Sequence, residues 1–264
     1  MDYEAEARRS LDQIVERKPL VHQITNVVVT NDTANLTLGF GALPVMAYAP
    51  EEVAEMAAIS QALVLNIGTL SAGEIAAMLI AGRAANEHGV PIVLDPVGAG
   101  ATRFRTESAL RLLRELRITT LRGNRGEIGA LVGAGEVRGV EAVGSEDPRQ
   151  VAASAAERFG VIVAVTGEVD IVTGPAGILA VANGHPLLGR ITGSGCMATA
   201  AIGIFLTAGE DPALQTALAL ATYERAAERA AEGNPGPGTF RTRLLDEVGA
   251  LQSTGIDGLR ISAD

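Results

Sequence analysis

Short apolar runs alternate with longer helical patterns along this chain. The strand candidates Leu63–Ile67, Pro91–Leu94, Ile118–Leu121 and Val161–Val165 are continuously apolar or nearly so. That is the pattern of a strand covered on both faces. Between them lie helices with start signals. Ser71 and Glu74 are spaced as a capping box ahead of Ile75–Ala85. Asp147-Pro148 and Asp211-Pro212 each pair an N-cap with a proline at the first helical position. The second of these opens a helix over Pro212–Glu232 that stops at Gly233. Ile171–Val172 and Ile178–Val181 flank Thr173-Gly174-Pro175-Ala176-Gly177 and predict a hairpin, so the late strands are expected to run antiparallel. The alternation predicts an α/β fold: a mostly parallel central sheet with helices on both faces, in three α/β/α layers. No repeat, linker or low-complexity tract divides the chain, so residues 1–264 are read as a single domain.

In such a sheet, ligands sit beyond the carboxyl ends of the strands. Gly68-Thr69 follows the first run, Asp95-Pro96-Val97-Gly98-Ala99-Gly100 the second, and Arg122-Gly123-Asn124-Arg125-Gly126-Glu127 the third. Thr166-Gly167-Glu168-Val169-Asp170 follows the fourth. Asp95 and Glu127 near a phosphate suggest magnesium held partly through water; the plain alternatives are a helix cap and a solvated first-turn residue. Arg122 suits a phosphate clamp or, more simply, a rim salt bridge.

The most distinctive segment is Ile191-Thr192-Gly193-Ser194-Gly195-Cys196-Met197-Ala198. Its glycines open a helix whose first amides and dipole favour an anion. Two readings stay open, an anion-binding turn and a merely structural one. The segment also fits a GxGxxA dinucleotide fingerprint. However, no convincing strand precedes it, and no second strand ending in an acidic residue follows. Cys196 in the first helical turn is either a thiol activated by the helix terminus or a small buried hydrophobe.

Composition narrows the chemistry. The 264 residues carry a net charge of −10 and only 3% aromatic residues, which argues against nucleic acid and anionic membrane as partners. Lys18 is the only lysine, so no GxxxxGK[ST] phosphate loop exists. The single Cys and three scattered His leave no CxxC and no HExxH. The acidic Met1-Asp2-Tyr3-Glu4 is followed by no apolar stretch, and the uncharged Ile191–Gly209 holds eight Gly, Ser or Thr residues. A soluble, cytoplasmic protein without a membrane span is expected.

Taken in order, several segments resemble the hydroxyethylthiazole kinases of the ribokinase-like superfamily over nearly the whole chain. They are Val21-His22-Gln23-Ile24-Thr25-Asn26, Gly41–Ala47, Asn66–Leu70, Leu94–Ala99, Gly123–Glu127, Val165–Asp170, Gly193–Cys196 and Gly236–Phe240. The Asn26 and Met46 segments point to the thiazole branch; the Asp95 and Gly193 segments are shared with kinases of hydroxymethylpyrimidine. The resemblance implies a ribokinase-like fold and transfer of the γ-phosphoryl of ATP to 4-methyl-5-(2-hydroxyethyl)thiazole. It also implies Mg²⁺ and a homotrimer with active sites between subunits. It assigns Asn26, Met46, Gly68 and Gly193 to the thiazole. Arg122, Thr166 and Asn124 go to ATP, Asp95 and Glu127 to magnesium, and Gly193, Ser194, Gly195 and Cys196 to an anion hole. Most of the superfamily has Asp where Cys196 stands, so a carboxylate base is not expected here. The rival readings are a hydroxymethylpyrimidine or pyridoxal kinase, a dinucleotide-dependent oxidoreductase and a non-catalytic nucleotide-binding regulator.

Overall fold

Alternation along each strand decides which side of the sheet every residue serves. Nine strands form one sheet among the described residues, 1–133, 147–174 and 177–263 of a computed structural model. They are β1 Leu20–Ile24, β2 Leu43–Val45, β3 Ala62–Asn66, β4 Ile92–Asp95 and β5 Thr120–Asn124, then β6 Ile162–Thr166, β7 Asp170–Gly174, β8 Gly177–Val181 and β9 Ile261–Ala263. The order is β2-β1-β3-β4-β5-β6-β7-β8-β9. The first six are parallel, and β7, β8 and β9 continue antiparallel.

Val21, Val64, Val93 and Ala164 face one core. It is covered by α1 Tyr3–Arg17, α2 Thr30–Gly39, α8 Ser194–Phe205, α9 Pro212–Ala230 and α10 Pro237–Thr254. Their neighbours Leu63, Leu65, Ile92, Leu94, Val163 and Val165 face the other core. That side carries α3 Val53–Ile59, α4 Ala72–Glu87, α5 Arg103–Glu115, α6 Arg125–Gly133 and α7 Pro148–Phe159. This is the expected three-layer α/β/α arrangement. Both faces are apolar because both are covered, which explains the near-continuous hydrophobic runs.

The expected N-caps form, although at Ser71 only the serine half of the expected capping box is made. Ser71 accepts from the Glu74 amide at 3.1 Å, Asp147 from Arg149 at 3.0 Å and Asp211 from Ala213 at 3.0 Å. The late hairpin is antiparallel; Pro175 and Ala176 of its expected turn lie outside the described residues. The strand boundaries need correction. The run read as Ile118–Leu121 is a strand over Thr120–Asn124, so Arg122 and Asn124 lie within it rather than after it. Asp95 and Thr166 likewise end β4 and β6 inside the ladder. Apolar runs mark where a strand is covered, while backbone pairing continues as far as the neighbouring strand does. The ninth strand, Ile261–Ala263, had no pattern of its own: it is short and largely exposed, and pairing with β8 defines it.

The helix α8 sits close against the sheet. A Cβ added to Gly203 would stand 2.6 Å from Cγ2 of Val64. Gly203→Leu should therefore destabilise the protein by about 3 kcal/mol through overpacking. Urea unfolding checks this, and an unchanged midpoint would contradict the close seating.

Candidate active site

Continuing the strand alternation by two residues assembles the site. Val64, Val93 and Ala164 face α8, so Asn66, Asp95 and Thr166 do as well, each as the last residue of its strand. Arg122 joins them from β5. Four polar side chains from adjacent parallel strands thus emerge at one end of the sheet, under the first turn of α8.

That turn is shaped by glycine. Gly193 is the N-cap of α8 with φ +84, and a Cβ there would lie 2.4 Å from Val29. No side chain caps the helix, which leaves the amides of Ser194, Gly195 and Cys196 open to an anion. The Tyr223 hydroxyl donates to the Ser194 carbonyl at 3.0 Å and fixes the turn. A Cβ on Gly195 would stand 2.7 Å from Nη1 of Arg122, so glycine lets the guanidinium lie against the helix start where any side chain would push it aside. Of the two readings left open by the residues, this geometry favours the anion-binding one.

Arg122 is 12% exposed, donates to Thr166 Oγ1 at 2.7 Å and lies 3.6 Å from Asp95 Oδ2. Its Nε is buried without a partner. It is not a rim salt bridge. Asp95 is fully buried and caps no helix. Its Oδ2 accepts from Thr199 Oγ1 at 2.7 Å and from Asn66 Nδ2 at 3.0 Å, while Oδ1 has no partner. Burial pushes its carboxyl up to about 6, against the pull of Arg122 and Thr199. Asn66 Oδ1 in turn accepts from Asn26 Nδ2 at 2.9 Å and from the Gly68 amide at 2.9 Å. Asn26 Nδ2 also reaches Cys196 Sγ at 3.4 Å. A Cβ on Gly68 would meet Asn26 at 2.7 Å. Asn26, Gly68, Cys196 and Asp95 therefore belong to one network. Met46, just past β2, is half-exposed and outside it.

Cys196 departs from the thiolate reading. It is half-buried, and burial together with the Asp95 charge pushes its thiol up, outweighing Asn66, Asn26 and Arg122. Of the two readings left open for Cys196, this direction favours the unactivated thiol.

Glu127 is also more than a solvated first-turn residue. Oε2 accepts from the Asn124 amide at 2.9 Å, and Asn124 Oδ1 accepts from the Glu127 amide at 2.9 Å, a reciprocal capping box at the start of α6. Its Oε1 accepts from the Gly98 amide at 2.8 Å and so holds the loop after Asp95. The spacing of Asn124 and Glu127 was a readable signal for that cap.

The residues can accommodate a divalent cation in one way only. No cluster of three or more His, Cys, Asp or Glu able to hold a metal occurs among the described residues. The unpartnered Oδ1 of Asp95, with Glu127 close enough to raise its carboxyl, fits a cation held mainly by water and phosphate.

Other contributors were not legible. Thr199 carries no motif, yet it anchors Asp95. Arg105 reaches from α5 to the carbonyls of Val97, Gly68 and Ile67 at 2.8, 2.9 and 3.0 Å, tying the loops after β3 and β4 together. Asp170 and Glu224 form a buried acidic pair near Arg122. Beside the site, a cleft of about 700 Å³ is lined by Asn124, Arg125, Thr166 and Gly167. A second cavity, about 200 Å³, shares Thr166 and Gly167 with it and reaches Arg122 and Gly195.

The hydroxyethylthiazole kinase family model matches residues 11–254. The chain belongs to the hydroxyethylthiazole kinase family. A hydroxyethylthiazole kinase from Rubrobacter xylanophilus is 55% identical over 249 residues, 94% of this chain and 93% of that one. The solved hydroxyethylthiazole kinase protein from Pyrococcus horikoshii OT3 superposes with a TM-score of 0.89 at 44% identity, covering 98% of both chains. A ribokinase-like superfamily protein from Enterococcus faecalis V583 matches with a TM-score of 0.61 at 11% identity, over 87% of this chain and 86% of that one. That likeness concerns the fold alone, and it makes the architecture ribokinase-like. In a family member so built, a neutral Cys196 should react with iodoacetamide about tenfold more slowly than a free cysteine at neutral pH. Reaction as fast as a free thiol would contradict the raised titration.

Proposed function

We propose that the protein transfers the γ-phosphoryl group of ATP to the hydroxyethyl group of 4-methyl-5-(2-hydroxyethyl)thiazole, as in thiamine salvage. The observation that carries this reading is the Arg122 guanidinium set against the uncapped start of α8, in a chain of this family. Phosphoryl transfer asks chiefly for positioning and for neutralised charge on the transferring oxygens. Arg122 and the amides of Ser194, Gly195 and Cys196 offer that without a phosphate-loop lysine. Thr166 fixes Arg122 and, with Asn124, borders the nucleotide cleft.

Asn26, Gly68, Gly193 and Met46 are assigned to the thiazole, an apolar ring that needs few hydrogen bonds. The alcohol oxygen forms the new bond to phosphorus as the bond to the β-phosphate oxygen breaks and ADP leaves. Cys196, neutral, orients the alcohol instead of deprotonating it in advance. The alcohol proton is lost late, when the oxygen has become acidic through bonding to phosphorus, and passes to solvent water. Asp95 and Glu127 would hold Mg²⁺ through water, and Mg²⁺ supplies neutralisation of phosphate charge when bound.

The chain is inferred to work as one kinase domain in the cytoplasm and to form a homotrimer with sites completed at subunit contacts. Around Asn26 and Met46, Val27, Val28, Leu38 and Leu43 are 73%, 59%, 54% and 44% exposed, an apolar surface that another copy would cover. Among the described residues no helix is long and apolar enough to cross a membrane.

A coupled ADP-release assay tests the reading with a panel of the thiazole alcohol, hydroxymethylpyrimidine and pyridoxal. The thiazole alcohol should give a kcat/KM at least about a hundredfold above the others. Preference for either rival would transfer the activity to that substrate, and an active monomer in sedimentation would refute the shared site.

A further inference from the structure

Arg122 has acidic neighbours beyond Asp95. Asp170, at the start of β7, and Glu224, on α9, line the 200 Å³ cavity together with Arg122, Gly195 and Tyr223. They are only 1% and 9% exposed. Asp170 Oδ1 accepts from the Gly167 amide at 2.9 Å, which holds the turn that follows Thr166. Both side chains face this one small cavity, and Asp170 Oδ2 and Glu224 Oε2 are buried there without a hydrogen-bond partner. Two ionised carboxylates buried in one cavity repel each other, and carboxylate oxygens only accept, so a proton held between them would relieve both.

We propose that Asp170 and Glu224 are a positioning pair for the nucleotide, sharing one proton and so leaving the Arg122 guanidinium for phosphate. The proposal rests on the phosphoryl-transfer reading of the same site. With both carboxyls ionised, the single cation Arg122 would face three carboxylates, Asp95, Asp170 and Glu224, and the cavity would repel a polyanion. With one proton shared, one negative charge is removed and the Gly167 turn keeps its acceptor. The other groups facing the pair are Arg122 from β5, which favours ionisation, and Glu228 from α9, which opposes it. Burial raises both carboxyls, so the shared proton persists above the ordinary carboxylate range. Tyr223, beside Glu224, is held neutral by burial and donates to Ser194. The proton binds below the pair's raised titration and leaves as pH rises through it. Affinity for ATP should therefore fall on the alkaline side.

Steady-state kinetics across neutral and alkaline pH, with the Mg²⁺-loaded full chain, test this on Glu224→Ala and Glu224→Gln. Glu224→Ala leaves Asp170 charged against Arg122 and should raise KM for ATP about tenfold, with a smaller change in kcat. Glu224→Gln donates an amide N–H to Asp170 at every pH. It should recover most of that loss and abolish the alkaline rise in KM seen in the parent. Infrared difference spectra give a readout independent of turnover: a protonated-carboxyl band at neutral pH in the parent, absent in Glu224→Gln. Equal KM values for the Gln and Ala variants, a persistent alkaline rise in Glu224→Gln, or an unchanged carboxyl band would each overturn the proposal. If Glu224→Ala does not fold, the Gln variant's pH profile and spectrum decide. Absence of ATP turnover with every alcohol would instead defeat the kinase reading, and the infrared band would still report on the pair.

Discussion

The site depends on how closely α8 is pressed onto the sheet. Gly195, Thr199 and Gly203 recur every four residues along the helix and so share one face. Gly195 meets Arg122 of β5, Thr199 bonds Asp95 of β4, and Gly203 lies on Val64 of β3. Each of the three is small because a strand is in the way. The consequence is geometric. The helix delivers its unpaired amides beside the one arginine that the sheet presents there, and at the same time satisfies half of a buried carboxylate. A larger residue at Gly195 would push against the guanidinium itself, and one at Gly203 would push the helix off Val64.

The electrostatics follow from the same packing. Arg122 is a cation among buried acids: Asp95 on one strand, Asp170 on another and Glu224 on α9. Few charges are spent, and each is desolvated enough to act at short range. The protein has a single lysine and no phosphate loop, so under the proposed reading the charge of a triphosphate would be met by one guanidinium, three backbone amides and a divalent cation. Burial also explains why Cys196 is a neutral thiol beside a helix start. Desolvation and the Asp95 charge act on it together and outweigh the hydrogen bonds from Asn66 and Asn26 and the charge of Arg122.

Much of this was legible in the chain. The apolar runs, the Ser71, Asp147 and Asp211 caps and the late antiparallel strands follow from periodicity and capping chemistry. The glycines around Ser194 announced a helix start with close packing. The strand ends were less legible: Asp95, Arg122 and Thr166 look like loop residues when only hydrophobicity is read. Alternation shows them to be α8-facing positions inside the ladder, Asp95 and Thr166 as the last residues of β4 and β6 and Arg122 two before the end of β5. Glu127 carried a readable cap with Asn124 that competes with its reading as a metal carboxylate. Thr199, Arg105 and Glu224 had no local signal at all. Each acts across a large sequence separation, and only the fold brings Thr199 to Asp95, Arg105 to Gly68 and Glu224 to Asp170.

The central claim, that Arg122 and the α8 amides act as one anion site because glycine lets them touch, is tested most directly by Gly195→Ala. The backbone at Gly195 suits any residue, so the added methyl acts only through its contact with Arg122. Circular dichroism and the melting temperature should stay close to the parent, while kcat/KM for ATP falls about a hundredfold. A folded Gly195→Ala protein with parental kcat/KM would contradict the claim.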